Sequence, residues 1–224
     1  MSRIATIIFV IFIGINLSSR VSAQHGSSIG LKAGAGFSRY FFVVSSTQNP
    51  IDQGFVPVYQ GGIVFTQVNQ KNLGVQIELN YIQKAWLENI GESGTYSVVF
   101  DNFELPFLSH FRINLKKTGL IINMGMHVSY AFNAKTDSSG IINGTSLVNY
   151  NALDYSKFDY GLDGGIGLEL GKDKNVFLIQ LMFSQGMRNV LERDPTAIYR
   201  SLNQSLFLSM IYKVSFSKKK MVNP

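Results

Sequence analysis

The strongest constraint in this sequence is a period of two. Beyond residue 24, apolar side chains recur at every second position in runs of about ten residues, the length a tilted strand needs to cross a bilayer. No run sustains the 3.6-residue spacing of an amphipathic helix. Leu73, Val75, Ile77, Leu79 and Tyr81 fall on one side of an extended segment, while Gly74, Gln76, Glu78 and Asn80 fall on the other. Leu120, Ile122, Met124, Met126, Val128, Tyr130 and Phe132 oppose Asn123, Gly125, His127, Ser129 and Ala131 in the same way. So do Phe158, Tyr160, Leu162, Ile166, Leu168 and Leu170 against Asp159, Gly161, Asp163, Gly165, Gly167 and Glu169. Weaker alternation over 29–43, 58–68, 103–113, 176–185 and 202–216 brings the count to eight strands. Their connections alternate between short polar turns at 69–72, 114–118 and 171–175 and longer segments at 45–55, 84–96, 133–157 and 188–201.

Eight strands also build soluble, ligand-carrying barrels, so the composition of the two faces must decide. A soluble barrel turns its apolar side chains inward and its polar ones to water. Here the polar face is rich in glycine and small residues, which suits the crowded inside of a narrow barrel. The other face carries long aliphatics bounded by Tyr81, Tyr130, Phe132 and Tyr212, aromatics placed as an interfacial girdle. Short turns on one side and long loops on the other complete the pattern. The expected fold is therefore all-β: an eight-stranded antiparallel up-and-down transmembrane β-barrel. Closure satisfies every edge amide and carbonyl, each of which would cost several kcal/mol unpaired in hydrocarbon. Pro106 falls inside a strand of a ring that has no edge to put it on, and a bulge is the expected repair.

The N-terminus fixes the compartment. Arg3 supplies a positive charge, Ile4 to Leu17 form a mostly apolar run, and Val21-Ser22-Ala23 puts small residues before Gln24. This is the grammar of a secretory signal peptide. The expected organisation is a signal peptide over 1–23, a barrel over 24–217 and a short basic tail over 218–224, in the bacterial outer membrane. Gln24 is not a cysteine, so lipid attachment at the new terminus is excluded. Losing Arg3 and Arg20 lowers the formal net charge from +6 to +4, and the one basic cluster, Lys218 to Lys220, is terminal. That distribution predicts no nucleic-acid partner. The sequence has no cysteine, which rules out disulfides and thiolate metal sites.

Several short motifs carry a resemblance. Ile29-Gly30-Leu31-Lys32-Ala33-Gly34, Glu78-Leu79-Asn80-Tyr81-Ile82-Gln83-Lys84, Phe103-Glu104-Leu105-Pro106-Phe107-Leu108 and Asp159-Tyr160-Gly161-Leu162-Asp163-Gly164-Gly165-Ile166-Gly167 resemble the PorT-like outer-membrane β-barrel family across essentially the whole mature chain. The resemblance implies a small outer-membrane barrel and accounts for Pro106, since an acidic residue, an aliphatic and a proline recur there. Its founding member is tied to protein export to the cell surface. The chain departs from the pattern at His110, where a lysine is common, and in the extension from Ser217 to Pro224; Phe216 is the aromatic expected to end the last strand.

The charges on the polar faces are Lys32, Glu78, Glu104, Arg112, Asp159, Asp163 and Glu169, joined by His110 and His127. Both signs together in a lumen just wide enough for side chains predict an interior polar network that pairs and plugs the barrel. Two histidines on neighbouring strands fall short of the three or four ligands a metal site needs, so no metal and no cofactor are expected. No Gly-x-Ser-x-Gly elbow occurs, and no histidine lies in the long loops beside Asp137, Ser138, Ser139 or Asp194. The glycines from Gly161 to Gly171 precede no helix and so form no phosphate loop. The chain is expected not to be an enzyme. It is expected to act as a structural or interaction component, with outer-membrane lipid around it and protein partners engaged by outer loops or periplasmic turns. A lipid- or peptide-modifying enzyme and a narrow transport pore are the alternatives.

Overall fold

The computed structural model describes residues 26–44, 52–68, 72–89, 94–115, 118–139, 154–171, 175–192 and 198–216. Its strands are β1 (Ser27–Val44), β2 (Asp52–Gly54), β3 (Val56–Val68), β4 (Leu73–Asn89), β5 (Thr95–Asn114), β6 (Thr118–Ser139), β7 (Asp154–Tyr155), β8 (Phe158–Leu170), β9 (Asn175–Gly186), β10 (Leu191–Glu192) and β11 (Ile198–Ser215). The eight long strands pair antiparallel with their sequence neighbours, and β1 closes the ring on β11. The predicted signal peptide and basic tail lie outside the described residues.

Register fixes the shape. Ser28 pairs with Thr66, Thr66 with Gln76, Gln76 with Leu108 and Leu108 with Gly125. Gly125 pairs with Asp163, Asp163 with Ser184, Ser184 with Ser205, and Ser205 with Ser38. One circuit thus returns to β1 ten residues beyond its start. In an eight-stranded ring this stagger corresponds to a strand tilt of about 40°.

Alternation decides which face meets lipid. Leu31, Leu79, Phe107, Met124, Leu162 and Leu208 are exposed on the outside, while Lys32, Glu78, Glu104, His127 and Asp163 are buried inside. The outer ring of aromatics runs from Tyr59 to Tyr81 (5.8 Å), Tyr81 to Phe132 (6.1 Å) and Phe132 to Phe103 (4.6 Å). Phe177 and Tyr212 pair at the opposite end, beside the short turns. Left-handed residues Asn72 (φ 82°) and Gly171 (φ 106°) shape two of those turns.

Three expectations need correction. Pro106 carries no bulge. The β4–β5 ladder pairs Ile77 with Phe107 and resumes at Asn80 with Glu104 in the same register, leaving unpaired the stretch that faces the missing amide. The one register shift of the β5–β6 ladder lies opposite Asp101/Asn102, where β6 carries the extra residue, Phe132. Nor are 84–96, 133–157 and 188–201 wholly loops: β4 continues to Asn89, β5 starts at Thr95, β6 continues to Ser139 and β11 starts at Ile198. The alternation weakens there because the outer face leaves hydrocarbon and no longer selects apolar side chains. Finally, the lumen is not wholly polar. Val64, Ile121, Leu178 and Ile211 form an apolar layer inside the barrel, and Val58, Ile82, Ala85 and Phe207 form another.

Candidate functional site

The interior is stacked in layers, each supplied by inward positions of several strands. Nearest the short turns, Arg112 and Lys213 reach Glu169 at 2.9 and 3.3 Å. Beside them His110 donates from Nδ1 to Asn123 at 2.8 Å, next to the Val64–Ile121–Leu178–Ile211 layer. Above it, Lys32 Nζ meets Glu78 at 2.7 Å, and Glu78 also accepts from Gln76 and Asn80. In low dielectric this satisfaction matters more than the pairing itself, because a buried carboxylate with spare lone pairs is costly.

The next layer draws on four strands. Lys84 of β4 lies 2.9 Å from Glu104 of β5 and 3.5 Å from Asp159 of β8. His127 of β6 places Nδ1 2.9 Å from Asp163 of β8 and Nε2 3.7 Å from Glu104. The carboxylate is acceptor-only, so Nδ1 donates a proton to Asp163, while Nε2 faces Glu104. The ring lies over Gly161, where an added Cβ would stand 2.5 Å from the imidazole. A cavity of about 10 Å³, room for at most one water, is bordered by Lys32, Glu78, Glu104, Asp163 and Ser184.

Beyond this layer the lumen is capped by Tyr40, Phe42, Trp86, Tyr96, Val98, Phe100 and Val190. Trp86 meets Tyr40 edge-on at 5.3 Å and Phe42 at 5.6 Å. Among the described residues the barrel is thus filled from end to end.

All nine residues assigned to the interior network are where alternation puts them; eight are buried, and the Arg112 side chain is 35% exposed at the short-turn end. They form three separate groups rather than one centre, and the two histidines belong to different groups. Two inward cations stand outside that set: Lys84, in a segment whose pattern reads as a loop, and Lys213, whose inward direction follows from the outward Tyr212 beside it. No sequence pattern announces the cluster at the outer girdle, where Asp101 accepts from Tyr81 (2.6 Å), Gln83 (3.0 Å) and Asn133 (2.8 Å), with Lys135 at 3.3 Å. Burial alone would push the Asp101 carboxyl up, but these four donors hold it at about 2.

Solved structures share this architecture, among them the following two. Neisserial surface protein A superposes with a TM-score of 0.50 at 10% identity, covering 85% of this chain and 97% of that one. OprG, an outer membrane protein from Pseudomonas aeruginosa, superposes with a TM-score of 0.51 at 11% identity, covering 88% and 100%. At such identities the likeness is one of fold. In sequence, none of the curated proteins matches the chain. The family profile described as outer membrane protein beta-barrel domain matches residues 18–192, and on that match, with the closed ring and its apolar outer face, the chain belongs to the outer-membrane β-barrel family.

Proposed function

We propose that this barrel is a non-enzymatic structural or interaction component of the outer membrane. The observation that carries the reading is the sealed lumen. Ion pairs, two apolar layers and an aromatic cap leave no water-filled path among the described residues. The remaining surfaces are the lipid-facing band, the periplasmic turns and the outer extension of β4, β5 and β6 beyond the girdle. Lipid covers the first, and protein partners engage the other two.

The same packing weighs against the alternatives. A narrow pore needs a continuous polar passage, and an enzyme at the outer rim needs a base there, whereas His110 and His127 are 1% exposed within the barrel. The planar bilayer decides between barrel and pore: folded protein gives no conductance steps, and reproducible steps would replace this reading with transport. The PorT-like resemblance adds a narrower proposal, a part in protein export to the surface after cleavage behind Ala23. A photo-crosslinker at Ser97, on the β5 extension, then captures an export component, and N-terminal sequencing of the mature chain starts at Gln24. Loss of the gene with surface proteins exported normally would remove the export role while leaving the barrel reading intact.

A further inference from the structure

Charge is unevenly spread around the ring. Strands β3, β1, β11 and β9 are consecutive in the closed sheet, and none of the four contains an aspartate or a glutamate. Their cations are Lys32 and Arg39 on β1 and Arg200 and Lys213 on β11. Lys32 and Lys213 point inward and are neutralised by Glu78 and Glu169 of other strands. Arg39 and Arg200 fall on the outward rows of β1 and β11, and neither has a carboxylate partner among the described residues. Elsewhere in the ring the outward Lys135 is answered within the protein, by Asp101 at 3.3 Å.

Arg39 does not stand in open water. Along its own row it lies between Phe37 and Phe41, which are 55% and 46% exposed, and its guanidinium sits 4.8 Å from the ring centroid of the exposed Phe55. Ala35 on the same row pairs with Tyr59 of the outer girdle, so Arg39 lies on the outer side of that girdle. Phe41 pairs with Leu202, and Arg200 is two residues further out on the outward row of β11. The row on β1 thus passes from small apolar residues through aromatics to an arginine, the order in which a bilayer passes from acyl chains to headgroups.

The side chain is also held in place. Arg39 Nε donates to Gln204 Oε1 at 2.9 Å, and Gln204 Nε2 donates to Gln185 Oε1 at 2.9 Å. This relay crosses three strands and fixes one edge of the guanidinium. Its two terminal nitrogens have no protein acceptor among the described residues. A planar pair of N–H donors aimed outward matches the oxygens of a phosphate, which arginine binds two at a time. Below the aromatics the outer surface is shallow. Ala33 pairs with Gly61, where an added Cβ would meet only a backbone oxygen at 3.5 Å, so an acyl chain has room to lie there.

We propose that Arg39, assisted by Arg200, holds the phosphate of an outer-leaflet lipid against β1 and β11. The inference rests on the reading of the outer band as lipid-covered and gives that band a preferred headgroup. An arginine among apolar neighbours at a membrane interface calls for a counter-charge. Four strands without an acid supply none, so the anion comes from the lipid.

The test uses the full chain folded in detergent, with folding checked by circular dichroism and bound lipid counted by native mass spectrometry. The probes are diphosphoryl lipid A and the same lipid with its phosphates removed. The expected result is one phosphorylated lipid retained per chain, about tenfold more than the dephosphorylated form, and not displaced by millimolar inorganic phosphate. Arg39→Gln should lower retention by about tenfold and Arg200→Gln by a smaller factor, while Lys135→Gln, on β6 outside this sector, should leave it unchanged. Equal retention of the two lipids, equal retention by Arg39→Gln and the unaltered chain, or displacement by free phosphate overturns the site. Folded protein without this preference removes the headgroup site alone, whereas a chain that folds in no lipid vesicle removes the lipid-covered band with it. If a variant fails to fold, the comparison of the two lipids on the unaltered chain decides.

Discussion

A buried charge in this lumen is held by several partners, and that sets what single substitutions do. Lys32→Met leaves Glu78 with only its amide donors and should cost about 3–5 kcal/mol, while Lys32→Met with Glu78→Leu should cost clearly less. Urea unfolding in detergent, followed by Trp86 emission, checks both, and equal losses would mean that the pair is not the determinant. At the girdle the sign is set by Asp101. Its folded value of about 2 lies below the roughly 4 of an unfolded aspartate, so its contribution is complete above about pH 4 and is lost as pH falls through 2. Asp101→Asn should flatten that part of the stability profile and leave the neutral region lower by about 1–2 kcal/mol. An unchanged slope between pH 4 and 2, measured from urea midpoints, would remove Asp101 from the account. These residues differ in how readable they were. Glu78 and Lys32 stand on cleanly alternating strands, so their inward direction followed from parity. Asp101 was hidden because it lies just before the stretch of β5 that alternates cleanly and faces outward at the girdle, where its partners Tyr81, Gln83, Asn133 and Lys135 come from the neighbouring strands.

Each strand is legible where its two faces meet different solvents and obscure where they do not. Ile77 lies midway along the lipid-facing run of β4, and Ile113 lies at the short-turn end of β5. Ile77→Arg should therefore destabilise by about 2–4 kcal/mol and Ile113→Arg by no more than about 1, a depth dependence read by unfolding in lipid vesicles. Equal costs would mean that these faces do not span a membrane. The outer ends of β4, β5 and β6 lose this signal because water replaces lipid outside while Trp86, Val98 and Phe100 still pack within. That packing keeps them extended, and no local pattern announces it. Pro106 teaches a related point. Strand pairing on both sides of β5 holds the register, so the missing amide is absorbed as a gap in one ladder rather than as an extra residue.

As a whole, the molecule is a closed cylinder filled with its own side chains, and the single tryptophan reports on that filling. Trp86 is 1% exposed in the aromatic cap beyond the girdle. Its emission should stay blue-shifted and shielded from acrylamide in the folded protein, with quenching as in a free tryptophan only after unfolding; strong quenching in the native state would mean that the cap is open. The sequence by itself determined the all-β ring, the outward direction of its apolar face and the inward direction of its charges. A two-residue period and the cost of unpaired backbone in lipid leave a chain of this length few other solutions. Only the tertiary structure decided which charges meet. Partners such as Lys84 and Asp159, or His127 and Asp163, lie on different strands, and a stagger of ten residues around the ring, invisible in any one strand, sets the height at which they face one another.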